Sequence, residues 1–244
     1  FMLARLVADG PARSVVDANC PGAGWHICAW KGRLPATSDA FLWDPKGPVW
    51  DDNQYGPTLF AAEANHIVRA TLLAHPLAIA RAMAVNTARQ LAMTDLGDAL
   101  GPNYLDVTVL PILQAYFPPE EVARFQASLQ AHGKLRAIAA PLLWPQRIVL
   151  GFGLLGTLMA LALWRRNPRL AALAVVMLVS LVANAFATGA LSGPHGRYQA
   201  RIAWLLFVPP VLLVERRRAF TRRVAQPRLV LAAPAPHSRE AVAP

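Results

Sequence analysis

Residues 170–191 read LAALAVVMLVSLVANAFATGAL, twenty-two residues without a charge. An α-helix rises 1.5 Å per residue, so about twenty apolar residues cross the roughly 30 Å of hydrocarbon in a bilayer. This stretch is long enough to do so, and it decides the fold class: an all-α membrane protein. Upstream, residues 148–164 (IVLGFGLLGTLMALALW) are seventeen more without a charge, which span when Trp164 sits at an interface. Downstream, residues 202–214 (IAWLLFVPPVLLV) are only thirteen. They cross only if Tyr198 to Arg201 extend the helix and snorkel into the headgroups. Pro209 and Pro210 also kink this stretch, so a re-entrant segment is the alternative. Three membrane helices are expected, at about 148–164, 170–191 and 198–214.

Charge orients them. Residues 1–146 hold eleven Lys/Arg and twelve Asp/Glu, net −1, whereas residues 147–244 hold thirteen and two, net +11. The basic excess flanks apolar runs instead of coating a soluble face, which argues against a nucleic-acid partner. Arg165, Arg166 and Arg169 form the turn between the first two spans, and Arg216, Arg217, Arg218, Arg222 and Arg223 follow the third. The positive-inside rule places both groups in the cytoplasm. Residues 192–201 and all of 1–146 then face the periplasm of a bacterial inner membrane. The expected organisation is a periplasmic, mostly helical, loop-rich domain over 1–146, three transmembrane helices over 147–218, and a cytoplasmic tail over 219–244. That tail is basic, then Pro/Ala-rich, a composition that favours disorder. The chain opens Phe1-Met2-Leu3 without a signal-peptide pattern, and is expected to be the C-terminal part of a longer polytopic protein.

In the outside region Cys20 and Cys28 enclose PGAGWHI. An oxidising compartment favours a disulfide, worth roughly 2–3 kcal/mol for so small a ring. Two buried free thiols are the alternative, and zinc is not expected with only His26 nearby. Trp25, Trp30, Phe41, Trp43, Trp50 and Tyr55 alternate with prolines and keep no helical or strand period. They read as an ordered cap packed through its aromatics, although a sugar-stacking platform would use the same residues. Helices follow at 58–74 and 77–93, separated by His75-Pro76. Another, at 117–133, is opened by proline and Glu120-Glu121 and closed by Gly133.

The motifs GxSxG, HExxH and the Walker loop are absent, and the one GxGxxG spacing, GFGLLG at 151–156, does not follow a strand. The glycines of GFGLLG lie inside a span, where small residues let helices approach closely. Ser180, Asn184 and Thr188 recur every four residues, a polar stripe on one face of the second span. It suits interhelical hydrogen bonds or, alternatively, the lining of a substrate path. No histidine falls in a span, so an intramembrane haem is not expected, and neither cofactor nor metal is assigned. Outside, Asp39, Asp44, Asp51, Asp52 and Asp106 are the acidic candidates. Asp51-Asp52-Asn53 would suit a divalent cation, with a solvated turn as the plainer reading. His66 and His75, nine apart, do not share a helix face.

There remains HGRYQAR, which this topology puts at the outer membrane boundary. Arg197 and Arg201 are four apart and share a helix face with Tyr198 beside them. Guanidinium forks match phosphate, and His195 adds a donor, so His195, Arg197, Tyr198 and Arg201 form a candidate site for lipid phosphate. Plain interface anchoring is the alternative. The stretch RYQARIAWLLFVPPVLL resembles the Arg-Tyr-x-x-Pro ending of polytopic bacterial glycosyltransferases that use lipid-linked sugars, the C-type superfamily. Here the proline comes later, at Pro209. The family's catalytic aspartate lies in a first outer loop to which no residue of this chain corresponds, so no catalytic residue is carried over. The whole chain also resembles uncharacterised polytopic proteins of proteobacteria. What the resemblance implies is an enzyme acting on a lipid-linked, phosphate-bearing substrate such as a glycosyl carrier. A non-enzymatic accessory or scaffold subunit is the alternative. Membrane lipids are expected partners, with a lipid-linked substrate or other membrane subunits beyond them.

Overall fold

The computed structural model describes residues 1–50, 56–95, 97–103 and 105–215, and among these there are helices and turns but no strand. The amino-terminal part is built from α1 (Met2–Asp9), α2 (Pro11–Asn19), α3 (Ser38–Trp43), α4 (Gly56–Ala74) and α5 (Pro76–Ala92). Leu3, Leu6 and Val7 recur at helical spacing on α1 and meet Val16, Ile27, Phe41, Phe60, Ile67 and Ile79 in one core. Side chains of this size contribute about 1.5–3 kcal/mol each when fully buried. Between α1 and α2, Gly10 takes φ +106°, a conformation that strains any residue with a Cβ, and Pro11 opens the next helix.

Loops without secondary structure are held by side chains that reach their backbone. The Arg13 guanidinium donates to the carbonyls of Val7 (2.9 Å), Leu34 (3.0 Å) and Pro35. The Glu63 carboxylate accepts the N–H groups of His26 (2.6 Å) and Ile27 (2.9 Å), closing the start of a 3-10 turn at His26–Trp30. Cys20 and Cys28 form the expected disulfide, their Cα atoms 5.4 Å apart. Trp30 and Phe41 are buried, with the Phe41 ring 5.9 Å from that of Phe60, so the aromatic segment packs inward on α4. Trp43 and Trp50 stay at the surface. Asp51, Asp52, Asn53 and Tyr55 lie outside the described residues, as do the arginines from Arg216 onward.

His75-Pro76 does interrupt the helical run: α4 and α5 meet at 101°. Beyond α5 come α6 (Leu105–Thr108), α7 (Leu110–Tyr116), α8 (Pro119–Gln126) and α9 (Leu135–Ala139). The helix expected at 117–133 is therefore shorter and stops at Gln126. The Ser128 hydroxyl accepts the N–H of Ala131 (3.1 Å), a local bond that competes with helix continuation. Gly133, at φ +68°, closes the turns that follow.

The remaining elements are α10 (Leu143–Ala162), α11 (Pro168–Ala185) with a π turn at Phe186–Ala190, α12 (Gly196–Ala200), a 3-10 turn at Ala203–Phe207, and α13 (208–215). Three segments are long and apolar enough to cross a membrane: Leu135–Ala162, Pro168–Ala190 and Gly196–Glu215. The first starts thirteen residues before the expected Ile148, because α9 and a 3-10 turn at Ala140–Leu142 run into α10. It ends at Ala162, and Asn167 then accepts the Leu170 N–H (3.4 Å) to begin the second. The third does gain length upstream of Ile202, but as separate helical pieces.

Spans one and three touch through glycine and proline. A Cβ on Gly153 would come within 2.9 Å of the Phe207 ring, and one on Gly156 within 2.5 Å of Pro210 Cβ, whereas one on Gly151 would meet nothing within 4 Å. The Leu206 carbonyl has prolines at both i+3 and i+4, so neither a 3-10 nor an α bond is open to it. Thr157, fully buried on the first span, donates to that carbonyl at 2.7 Å. A neighbouring helix thus supplies the donor that proline lacks, as unpaired backbone in lipid requires.

A polar cleft where the amino-terminal helices meet the spans

The loop between the second and third spans is clamped from below by α5. Gln90, fully buried, donates from Nε2 to the His195 carbonyl and accepts the His195 N–H at Oε1, both at 2.8 Å. Gly189 permits this approach, since a Cβ there would lie 2.6 Å from Gln90 Cβ and 2.7 Å from the Asn86 carbonyl. Gly196 is pressed against the Asp95 carbonyl, where an added Cβ would sit 2.1 Å away. Gln146, early in α10, donates to the neighbouring Thr94 carbonyl. The backbone of residues 193–196 is therefore fixed by the amino-terminal helices and by the start of the first span.

So held, His195 aims its ring at α3, and its Nε2 lies 3.5 Å from Asp39 Oδ1. That hydrogen bond is the largest influence on the Asp39 carboxyl and holds it below the ordinary aspartate value. Partial burial opposes the shift, and the charges of His195, Arg197 and Arg5 reinforce it. The Tyr198 ring meets His195 edge-on at 5.3 Å, and the Arg197 guanidinium lies 5.1 Å above the Tyr198 ring. Two cavities open on either side of the Asp39–His195 pair. The larger, about 600 Å³, is lined by Arg197, Trp43, Asn103, Thr108 and Gln130 together with Thr37 and the pair. The smaller, about 370 Å³, is lined by Arg5, Asp9, Ser38 and Arg89 and again by the pair. In its wall the Arg5 and Asp9 side chains are bonded, and Asn86 Nδ2 contacts both Asp9 oxygens at 3.1 Å.

The four residues of the HGRYQAR candidate are thus not placed alike. His195 and Arg197 line the larger cavity and Tyr198 supports both, whereas Arg201 follows the last residue of α12, is exposed, and lines neither cavity. Of the polar stripe, Asn184 reaches across, donating to Gln199 Oε1 (2.9 Å) and to the Tyr198 carbonyl (3.3 Å). Ser180 and Thr188 donate to the Val176 and Asn184 carbonyls of their own helix, at 2.8 and 2.7 Å. His75 pairs with Ser14 at 3.0 Å, and His66 is exposed. Among the described residues no group of three or more His, Cys, Asp or Glu is disposed to hold a metal.

Asp39 stood among five acidic candidates in the sequence with nothing to single it out. Gln90, Asn103 and Gln130 carried no signal, because amides at isolated positions follow no pattern. The chain matches no protein-family model, no curated protein and no solved structure.

Proposed function

We propose that this chain belongs to a bacterial inner-membrane protein that binds the phosphate-bearing head of a lipid-linked substrate, such as a glycosyl carrier, in the larger cavity. The observation that carries the reading is the position of Arg197, facing a cavity of about 600 Å³ at the very start of the third apolar segment. A lipid phosphate needs a cationic fork near the headgroup level, and Arg197 offers one. His195 adds a second donor when protonated and offsets the charge of Asp39, which would otherwise repel the ligand. Amides from Asn103 and Gln130 suit the polar group beyond the phosphate. On this reading residues 1–134 and 191–195 are periplasmic, in line with the disulfide and with the arginines between the first two spans. A second reading, an accessory or scaffold subunit, draws support from the first span, which is almost wholly unburied within the chain and exposes Phe152, Leu155 and Met159.

The test is binding of a polyprenyl phosphate to the full chain in nanodiscs. Arg197→Ala should weaken it by about tenfold or more, near 1.4 kcal/mol. Arg197→Lys should restore little, because lysine cannot form the fork. Equal binding by Arg197→Ala, or equal binding of the phosphate-free polyprenol by the wild type, would overturn the reading.

A further inference from the structure

The elbow between α4 and α5 exposes leucines that the protein's own core leaves bare: Leu72 is 44%, Leu73 75% and Leu77 85% exposed. Along α5, Leu77, Ala84, Val85 and Ala88 continue the same uncovered face. The opposite face is committed. Ile79 enters the amino-terminal core, while Asn86 and Gln90 lie against Gly189 in the last turn of the second span. Helix α5 therefore lies beside the end of a membrane-crossing segment, and its elbow projects about 17 Å from that contact at 1.5 Å per residue. Taken together, α4 and α5 are apolar enough to pass for one span, yet they bend by 101°.

From this geometry we propose that the α4–α5 elbow inserts into the bilayer leaflet nearest the 186–196 turn, with Leu72, Leu73 and Leu77 among the acyl chains. Charge agrees with a lipid surface as the occupant. Arg69, Arg81 and Arg89 are exposed on the two helices, while the sole carboxylate between residues 61 and 92, Glu63, is bonded to the backbone of His26 and Ile27. Arginines beside bare leucines hold the headgroup level as the apolar tip enters. His75, the one polar side chain at the corner, turns back to Ser14 at 3.0 Å and so does not enter the lipid uncompensated. Leucines exposed to this degree in water would be an aggregation liability, which burial in lipid removes.

The experiment labels single cysteines with an environment-sensitive fluorophore in the full chain, reconstituted in liposomes that contain anionic lipid. Native Cys20 and Cys28 are bonded and do not react. Leu73→Cys is a surface change and leaves the core untouched. Nitroxide-bearing lipids should quench the label at residue 73 to at least half the extent seen at Phe152→Cys, an exposed site in the first span. Aqueous iodide should quench it several-fold less than the free dye. Strong iodide quenching with none from nitroxide lipid would overturn the proposal. So would protection from both, which would mean that a second copy or another protein covers the elbow.

Discussion

Gln90 does with one side chain what a neighbouring strand would do with its backbone: it offers one donor and one acceptor to a single residue, His195. That fixes where the imidazole stands and makes the Asp39 contact reproducible. Asp39 is 43% exposed, so the pair contributes only about 0.2–1 kcal/mol. Its carboxyl titrates lower in the folded protein than an ordinary aspartate near about 3.9. The contribution of Asp39 is therefore complete above the ordinary value and is lost as pH falls through the lowered one. Wild type should then melt slightly higher than Asp39→Asn at about pH 5, and the difference should narrow as pH falls below about 3.9. A constant difference across that range would mean that the asparagine acts through packing instead of charge. At this scale the sequence was legible in part. His195 and Arg197 stood out because polar residues at a membrane boundary need a reason. Gln90 and Asp39 did not, because their partners lie 105 and 156 residues away and proximity of that kind leaves no local pattern.

Among the elements, the first and third spans depend on backbone contact. Gly156→Ala places a methyl group 2.5 Å from Pro210 Cβ, and a proline ring cannot rotate away. The expected cost is about 1–3 kcal/mol, seen as a lower melting temperature in detergent. Gly151→Ala, only two residues from Gly153 but on an open side of the helix, meets nothing and should be neutral or slightly stabilising, since alanine is the better helix former. Equal effects from the two would show that the helices are not packed at Gly156. The glycine run announced close approach in the sequence, and the structure bears that out at Gly153 and Gly156 while leaving Gly151 open. The broken third segment was foreseen from Pro209-Pro210, but the remedy was not. Thr157 sits 49 residues from the carbonyl it serves, and a lone threonine in an apolar run reads as nothing in particular.

For the whole molecule, the three apolar segments were legible in number and order, and the second and third almost to their ends, because length and the absence of charge are properties of single stretches. The first begins thirteen residues earlier than expected. Sidedness rests on arginine placement, and it can be measured. Cysteines introduced singly at Asn167 and Ser192 should react from opposite sides of the membrane, with Ser192 reached by an impermeant reagent added outside. Equal labelling of both positions would contradict a span between them. The walls of the larger cavity have a practical consequence. They come from three distant parts of the chain: Thr37 to Trp43, Gly101 to Gln130, and His195 with Arg197. A soluble fragment that ends before the first span would keep the core around Leu6, Ile27 and Phe41 and its disulfide, and could fold. It would nevertheless hold only two sides of the cavity, and Asn86 and Gln90, now covered, would face water. Ligand screens run on such a fragment would be searching a cavity without its His195 and Arg197 wall.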